Sequence, residues 1–145
     1  MLRLLPPISR GVRSMSTTIT MQEVMTPAPH TVGPDQSLAI ALDLMRKHDI
    51  RHLPVRHEGR ITGILSERDI NFALRVEKAN ATDLTVESAL TPEVFSVLPS
   101  TPLADVAARM GSEKIGCALI EDDLGKLLGI FTAVDACRVL AQNVG

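Results

Sequence analysis

Gly63-Ile64-Leu65-Ser66-Glu67-Arg68-Asp69-Ile70 is the stretch that decides the fold, and a second copy of it follows at Gly129-Ile130-Phe131-Thr132-Ala133-Val134-Asp135-Ala136. In both copies a glycine opens an apolar run that ends at a hydroxyl residue, and an aspartate follows three positions later. The apolar run predicts a β-strand, and the hydroxyl residue is a preferred N-cap for a helix. We therefore expect a strand that leads directly into a helix twice in this chain.

The similarity between the two halves extends well beyond this stretch. A shift of 65 positions places Thr26-Pro27 on Thr91-Pro92. One additional residue in the second hairpin turn raises the shift to 66, which places Gly63 on Gly129. Identities that stay in register over this length are typical of an internal duplication. One copy has too little core to be stable alone, so we expect two copies packed face to face by their hairpin sheets. A pseudo-twofold axis would relate them and create two related clefts between the halves.

Each copy is predicted to run strand, helix, strand, strand, helix, which gives an α+β fold of two tandem β-α-β-β-α repeats. In the first copy, apolar residues at helical spacing predict a helix that ends near His48. Alternating residues predict a strand over residues 52–57, and Thr31-Val32 is a short strand candidate. The predicted division of the chain is a disordered or targeting tail over 1–20, a first repeat over 21–80 and a second repeat over 81–145.

Composition excludes several classes of protein. The net charge is −2, and the 145 residues include no Trp, no Tyr and three Phe. This argues against a nucleic-acid partner, which would need a basic face or stacking aromatics. No apolar run approaches the roughly 20 residues of a membrane helix, so we expect no membrane contact. Cys117 and Cys137 lack metal-ligand spacing, and we expect both to be small buried hydrophobic residues in a reducing compartment.

The first 20 residues have a different composition from the rest. They contain Arg3, Arg10 and Arg13, several Ser and Thr, and no acidic residue. Such a composition resembles an organellar transit peptide. A disordered tail and a start codon placed too early, with Met15 as the true start, compete with this interpretation, and we favour a tail that is not part of the fold. We expect a cytoplasmic protein, with mitochondrial targeting as the alternative.

Spacing alone leaves the chemistry of the duplicated stretch open. Ser66-x-x-Asp69 and Thr132-x-x-Asp135 resemble the N-terminal capping box, and from spacing alone capping is the better interpretation of both pairs. The alternative is that each aspartate faces a ligand cleft. His48, His52 and His57 are close in sequence, but His52 and His57 lie on opposite faces of the predicted strand, so a metal cluster is not expected. The chain has no G-x-S-x-G, Walker or G-x-G-x-x-G motif.

The two ordered copies resemble tandem CBS (cystathionine-β-synthase) domains, which together form a Bateman module. The residues that carry the resemblance are Val24-Met25-Thr26-Pro27, Asp49-Ile50-Arg51-His52-Leu53-Pro54-Val55 and Gly63 to Ile70, with Leu90-Thr91-Pro92 and Gly129 to Asp135 in the second copy. The match covers residues 21 to about 142. It implies a non-catalytic, ligand-sensing module that binds an adenosine derivative: AMP, ADP, ATP, S-adenosylmethionine or NAD. It also implies a homodimer and a separate, regulated partner protein.

The resemblance further implies a role for each matching residue. Asp69 and Asp135 would bind ribose hydroxyls, and Ser66 and Thr132 would contact ribose or phosphate at a helix N-terminus. An adenine slot and a set of basic groups for phosphate complete the implied site. The slot would be lined by Thr31, Val32, Leu53, Pro54 and Val55, and the basic groups are Arg51, His52 and Arg68, with only Lys114 in the second copy. We expect the ligand in the cleft closed by Asp69, with Asp135 as the weaker choice.

Three other functions compete with ligand sensing. A structural or dimerisation module with degenerate pockets would have no nucleotide affinity. A nucleotide hydrolase would need a general base and usually a metal, and neither is recognisable in the sequence. Nucleic-acid binding is disfavoured by the charge balance and the scarcity of aromatic residues.

Overall fold

The computed structural model describes residues 18–144, and helices and strands alternate through them. The predicted tail over residues 1–17 lies outside the described part of the chain. The elements in chain order are α1 (Met21–Val24), β1 (Thr26–Pro27), α2 (Leu38–His48), β2 (His52–His57), β3 (Arg60–Ser66), α3 (Glu67–Glu77), a 3₁₀ turn (Val86–Ser88), β4 (Ser96–Val97), α4 (Leu103–Glu113), β5 (Cys117–Glu121), β6 (Leu127–Thr132) and α5 (Ala133–Asn143).

The helix ends follow from short-range chemistry and repeat between the halves. The Ser37 side chain accepts the backbone N–H of Ile40 and thereby caps α2. At the other end, α2 stops at Asp49, whose φ of 54° is left-handed. Lys114 ends α4 in the same way with φ of 57°, and it lies 65 positions after Asp49. The shared left-handed end stops both helices at the same point of the repeat.

The strands are exchanged between the two halves of the sequence. β1 pairs antiparallel with β6, with Thr26 opposite Ile130, in a sheet of order β1-β6-β5-β4. In the first half, β2 and β3 form a hairpin that is extended by single bridges, Ile64 with Thr91 and Val32 with Val55. The Thr26–Ile130 and Thr91–Ile64 pairs are the same contact seen from the two copies. The predicted pseudo-twofold arrangement is therefore confirmed by the pairing itself.

Two glycines allow these exchanged strands to approach. A Cβ on Gly63 would lie 2.7 Å from the Thr91 carbonyl oxygen. A Cβ on Gly129 would lie 2.9 Å from the Thr26 carbonyl oxygen. Both distances are shorter than real carbon–oxygen contacts, so only glycine fits at these positions. This is the physical reason why the duplicated stretch opens on glycine.

The core has three parts, and the first two exchange a segment as the strands do. The first-half core contains Val86 from beyond the middle of the chain. The second-half core contains Met21, which is fully buried although it lies near the N-terminus. A third cluster joins the two sheets face to face, as predicted, and consists of Cys117, Leu119, Leu127 and Ile130 with Ile61, Ile64 and Val94. The division of the sequence into repeats at 21–80 and 81–145 stays a prediction.

Three details differ from expectation. Thr31-Val32 is not a strand, because only Val32 forms a bridge, to Val55. Cys117 is buried, but Cys137 on α5 is exposed, so the expectation of two buried cysteines was wrong for Cys137. Within residues 18–20, Ile19 packs against the second-half core and its carbonyl accepts the Leu103 N–H at 2.7 Å. Among the described residues, no helix has the length and apolar character needed to cross a membrane.

Candidate functional site

The N-terminus of α3 carries a carboxylate that reaches across to the other half of the chain. The Ser66 hydroxyl caps this helix by accepting the Asp69 N–H at 3.0 Å. The Asp69 carboxylate does not return a bond to the cap. One of its oxygens accepts the Thr91 hydroxyl at 3.3 Å, and no other hydrogen bond to it is present within residues 18–144. Asp69 therefore lies at the junction of the two halves with acceptor capacity to spare.

The equivalent aspartate on α5 is fully engaged. One Asp135 oxygen accepts both the backbone N–H and the hydroxyl of Thr132, at 2.9 and 3.0 Å, and Thr132 in turn caps the helix. The other oxygen accepts a guanidinium N–H of Arg138 at 2.9 Å. The two copies of the motif therefore differ in their hydrogen bonds. Asp135 forms the capping box that spacing predicts, whereas the Asp69 carboxylate lies at the junction of the two halves. The expectation that only Lys114 could supply a basic group there was wrong, since Arg138 contacts Asp135.

His52 also contacts the other half of the chain. It opens β2 opposite Ser66, and its Nε2 would lie 3.2 Å from a Cβ on Gly116, which belongs to the second half. Burial lowers the pKa of His52 below its usual value, and the Asp69 carboxylate opposes part of that shift. At neutral pH this imidazole is therefore uncharged, close to a carboxylate and confined by the second repeat.

The predicted basic residues are solvent-accessible. Arg51 donates to Glu67 at 2.9 Å, and its side chain is 74% exposed. Because an exposed ion pair contributes little free energy, an anion at this helix N-terminus could compete with Glu67 for Arg51. Arg68 and Lys114 are exposed, and within residues 18–144 neither forms an ion pair.

The predicted adenine slot is only partly open. Val32 and Leu53 are buried in the first-half core, so their side chains are not available to a ligand. The Val32 backbone is also occupied, because its N–H donates to the Pro54 carbonyl at 3.1 Å and its carbonyl accepts the Arg56 N–H at 2.8 Å. The half-buried Thr31 lies next to the bridge, without a backbone hydrogen bond of its own in the described chain. Free backbone groups for a base are thus provided ahead of Val32.

Pro54 makes the backbone hydrogen bonding of the two clefts different beside residue 30 and its counterpart, residue 95. In the second half, Leu119 donates its N–H to the Phe95 carbonyl at 2.8 Å. A shift of 65 places Pro54 on Leu119 and His30 on Phe95. Because proline has no N–H, the His30 carbonyl receives no such bond. The first-half cleft therefore keeps a free backbone acceptor that the second-half cleft has already used.

The sequence did not identify several residues that shape this site. Thr91 was recognised only as a repeat signature, and Gly116, Glu67 and Arg138 were not assigned to the site. The symmetry of the repeat could have indicated Thr91, because a strand exchanged between the copies must lie beside Asp69. Within residues 18–144, no group of three or more His, Cys, Asp or Glu residues could hold a metal ion.

Two cavities accompany the fold. One of about 150 Å³ lies between α2 and the start of α3 and is lined by Leu42, Met45, Arg46, Asp49, Ile50, Arg51 and Glu67. A larger apolar groove of about 430 Å³ lies between α4 and α5, and we call it the α4–α5 groove. Its lining residues are Thr18, Ile19, Pro102, Leu103, Ala104, Ala107, Ala136, Cys137, Val139 and Leu140.

Comparison with known proteins gives a consistent family. The family model described as CBS domain matches twice, over residues 21–76 and 86–142. The chain is 31% identical to the CBS domain-containing protein YhcV of Bacillus subtilis over 117 residues, which cover 80% of this chain and 81% of that protein. It is 30% identical over 129 residues to the L-aspartate semialdehyde sulfurtransferase of Methanocaldococcus jannaschii, which covers 88% of this chain. The chain spans about a quarter (24%) of that enzyme's length.

Solved structures with bound ligands have the same architecture. The CBS domain pair of protein MJ0100, in complex with 5′-methylthioadenosine and S-adenosyl-L-methionine, superposes with a TM-score of 0.79 at 28% identity. That match covers 87% of this chain and 98% of the other. CBSX2 in complex with AMP superposes with a TM-score of 0.71 at 29% identity, covering 85% and 96%.

Proposed function

This chain belongs to the CBS-domain family, and we propose that it is a regulatory module that binds an adenosine-containing ligand in the cleft beside Asp69. The ligand class comprises AMP, ADP, ATP, S-adenosylmethionine and NAD. Two relatives at 28% and 29% identity were solved with adenosine compounds bound, one with AMP and one with S-adenosylmethionine and methylthioadenosine. We further propose that the module performs no chemistry of its own and acts on a separate, regulated protein.

The unequal use of the two aspartates is the observation that carries this proposal. A ribose offers two adjacent hydroxyls, and a carboxylate that accepts both forms strong, charge-assisted hydrogen bonds. Asp135 has both oxygens engaged by Thr132 and Arg138. Within residues 18–144, the Asp69 carboxylate accepts only the long hydrogen bond from Thr91. The diol therefore belongs at Asp69.

The remaining groups are consistent with a nucleotide that crosses β2. The base would lie at the edge formed by Thr31 and the free His30 carbonyl, which can accept a hydrogen bond from an exocyclic amine. A phosphate would lie near the N-terminus of α3, where Arg51 and Arg68 carry forked donors that suit phosphate oxygens. Neutral His52 would gain a proton as the phosphate approached.

A signalling route follows from the contacts between the halves. The Asp69–Thr91 bond and the His52–Gly116 contact both connect the first repeat to the second. A ligand that takes over Asp69 and charges His52 would change both contacts. Because the two states would differ in ligand affinity, binding would shift the relative orientation of the repeats, and a partner would respond to that shift.

The test compares two matched variants. Asp69→Asn should weaken binding of the adenosine ligand by about 10- to 100-fold, because a charged acceptor is lost. Asp135→Asn should leave affinity unchanged and cost about 1 kcal/mol of stability through its helix cap. Calorimetric titration with AMP, ATP, S-adenosylmethionine and NAD measures the first effect. Equal affinity in both variants would show that the wrong cleft has been assigned.

Identifying the ligand comes first in practice. Since the chain has no Trp or Tyr, a bound adenine dominates the near-ultraviolet absorbance of the purified protein. Mass spectrometry of the small molecules released on denaturation would name the compound. If nothing is released and no candidate binds in titration, the sensor function is wrong and a dimerisation module with degenerate pockets replaces it.

Exposed apolar surface supports homodimerisation in either case. Ile40, Phe72 and Val76 are 43%, 61% and 58% exposed on α2 and α3. The α4–α5 groove is instead a concave surface, because the small residues Ala107 and Ala136 stand at the positions of Leu42 and Ile70 in the first half.

We propose that a second copy of this chain covers these two surfaces, with the first repeat of each protomer facing the second repeat of the other. Phe72 of each protomer would enter the α4–α5 groove of the other about a twofold axis. Charge is also complementary, since Arg75 lies beside Val76 and Asp105 beside Ala104, and neither forms an ion pair within residues 18–144. Sedimentation should show a dimer that Phe72→Asp converts to a monomer, and a monomeric wild type would refute this arrangement.

A further inference from the structure

Two histidine rings stack on each other at one edge of the first-half cleft. The ring centroids of His30 and His48 are 3.7 Å apart, and the ring planes differ by 15°. His30 is exposed and immediately precedes Thr31, whereas His48 is half-buried and is the last residue of α2. Nothing in the capping of α2 or in the core requires this pair. In a chain without Trp or Tyr, it is a conspicuous flat aromatic surface.

The strand register locates this pair relative to Asp69. Val32 pairs in parallel with Val55, so residue 30 is level with Leu53. Leu53 is in turn opposite Leu65, the residue before the Ser66 cap of α3. His30 and the start of α3 therefore lie on opposite sides of β2 at the same height. Two strand spacings, roughly 10 Å, separate them.

The second half has an aromatic ring at the same position but uses it differently. Phe95 is equivalent to His30 under the shift of 65, and the Arg109 guanidinium lies 4.6 Å from the centre of its ring. Phe95 packs against the second-half core, and its carbonyl is bonded to Leu119. His30, by contrast, presents both an exposed ring and an unbonded carbonyl. Only the first half therefore offers a ring and an acceptor together.

We propose that the His30–His48 stack is a base-binding platform that makes the first-half cleft select planar purine ligands. This inference rests on the proposed function, because it names the residues that recognise the base. An exposed imidazole face can stack on a purine ring, and aromatic side chains commonly bind bases in this way. The His30 carbonyl beside it gives the ring plane a hydrogen-bonding edge.

The surroundings of His48 favour its neutral form. Burial lowers the pKa of His48, and the neighbouring His30 and Lys47 lower it further. The His48 ring that supports His30 is therefore uncharged near neutral pH, and burying it in the stack requires no desolvation of a cationic ring. The phosphate-binding groups, Arg51 and Arg68, lie at the start of α3 on the other side of β2.

The experiment separates base recognition from the rest of the ligand. AMP and ribose 5-phosphate are titrated into the wild type, His30→Ala, His30→Phe and the control His57→Ala. His57 is exposed at the opposite end of β2 and contacts only Glu58, at 3.6 Å, among the described ion pairs. His30→Ala should weaken AMP binding by about 5- to 150-fold and leave ribose 5-phosphate binding unchanged. His30→Phe should restore AMP binding, and His57→Ala should bind both like the wild type.

A direct signal comes from the histidines themselves. The chain has four, so their ring protons are resolvable by NMR. The Hε1 signals of His30 and His48 should move upfield with AMP and stay in place with ribose 5-phosphate.

Each remaining outcome decides the inference. If the wild type binds only 5′-methylthioadenosine, 5-methylthioribose is the base-free probe for the same comparison. If His30→Ala binds AMP like the wild type, or loses AMP and the base-free probe equally, the platform is wrong while the proposed function stands. If the wild type binds no adenosine compound at all, both are overturned.

Discussion

Replacing Gly63 with alanine tests the strand exchange that defines this fold. The new Cβ would lie 2.7 Å from the Thr91 carbonyl oxygen and 2.8 Å from Leu90 Cδ1. The Thr91 carbonyl oxygen is a backbone atom that accepts the Ile64 N–H at 2.9 Å, and the Thr91 N–H donates to the Ile64 carbonyl at 2.8 Å. The chain must therefore either tolerate the clash or give up this bridge.

The expected cost is large for a single methyl group. Overpacking of a tight site costs about 1–3 kcal/mol. For a domain of this size, that free energy corresponds to a fall in Tm of about 3–10 °C. Because Thr91 lies beside Asp69 at the junction of the two repeats, displacing its backbone should distort the cleft, so Gly63→Ala should weaken adenosine-ligand binding as well as stability.

Gly111 provides the matched control. It lies within α4, and a Cβ there would meet nothing within 4 Å. Gly111→Ala should stabilise the protein by about 1 kcal/mol, because alanine is the better helix former. Thermal unfolding followed by far-ultraviolet circular dichroism measures both variants. If Gly63→Ala unfolds at or above the wild-type Tm, the close approach of Thr91 to β3 is wrong.

Three further predictions concern the second-half core, the two histidines with lowered pKa values and the two cysteines. Met21→Ala should lower the free energy of unfolding by about 2–5 kcal/mol despite its place near the N-terminus, because it leaves a cavity in the second-half core, and chemical denaturation measures this. A cost below that of an exposed alanine substitution would contradict the exchange of segments between the two cores. Folding holds the pKa values of His52 and His48 below the ordinary 6.5, so the free energy of unfolding should be highest above that pH and decrease as pH falls below it. The decrease should be shallower in His52→Gln, and a flat stability profile between neutral and mildly acidic pH would contradict this. In the native protein, Cys137 should react with a thiol reagent, whereas Cys117 should react only after unfolding, because burial raises its pKa to about 12. Equal reactivity of the two cysteines in the native protein would disprove the difference in burial.

Much of the site was predictable because it depends on local spacing. Ser66 and Thr132 cap helices as their spacing indicates, since an N-cap bond needs only residues three positions apart. The two aspartates have the same spacing, but only Asp135 follows the capping-box prediction. Asp135 returns to its own cap, while Asp69 turns to Thr91, which is 22 residues away in the chain. A choice between a local and a distant partner depends on which groups the fold brings close.

The adenine slot illustrates the same division. The expectation of a slot next to Val32 and Pro54 comes from the family resemblance. That Val32 and Leu53 are buried, and that the Val32 backbone is bonded to β2, depends on how the edge segment pairs with the hairpin. The stacked His30–His48 pair joins residues 18 positions apart across a loop and a helix, so spacing gave no signal for it.

The sequence by itself determined the duplication, the order of the long helices and hairpin strands, and the glycine that opens each copy of the repeated stretch. These features are periodic and local, and each residue type has a short-range physical reason for its place. The tertiary structure alone decided that each repeat completes its core and sheet with a segment of the other, through Met21, Val86, Thr26 and Thr91. It also decided that, among residues 18–144, only the first cleft keeps a carboxylate with acceptor capacity to spare and an unbonded backbone carbonyl. Two nearly equivalent sequences can differ in this way because burial and hydrogen-bond partners belong to the packed molecule rather than to the chain.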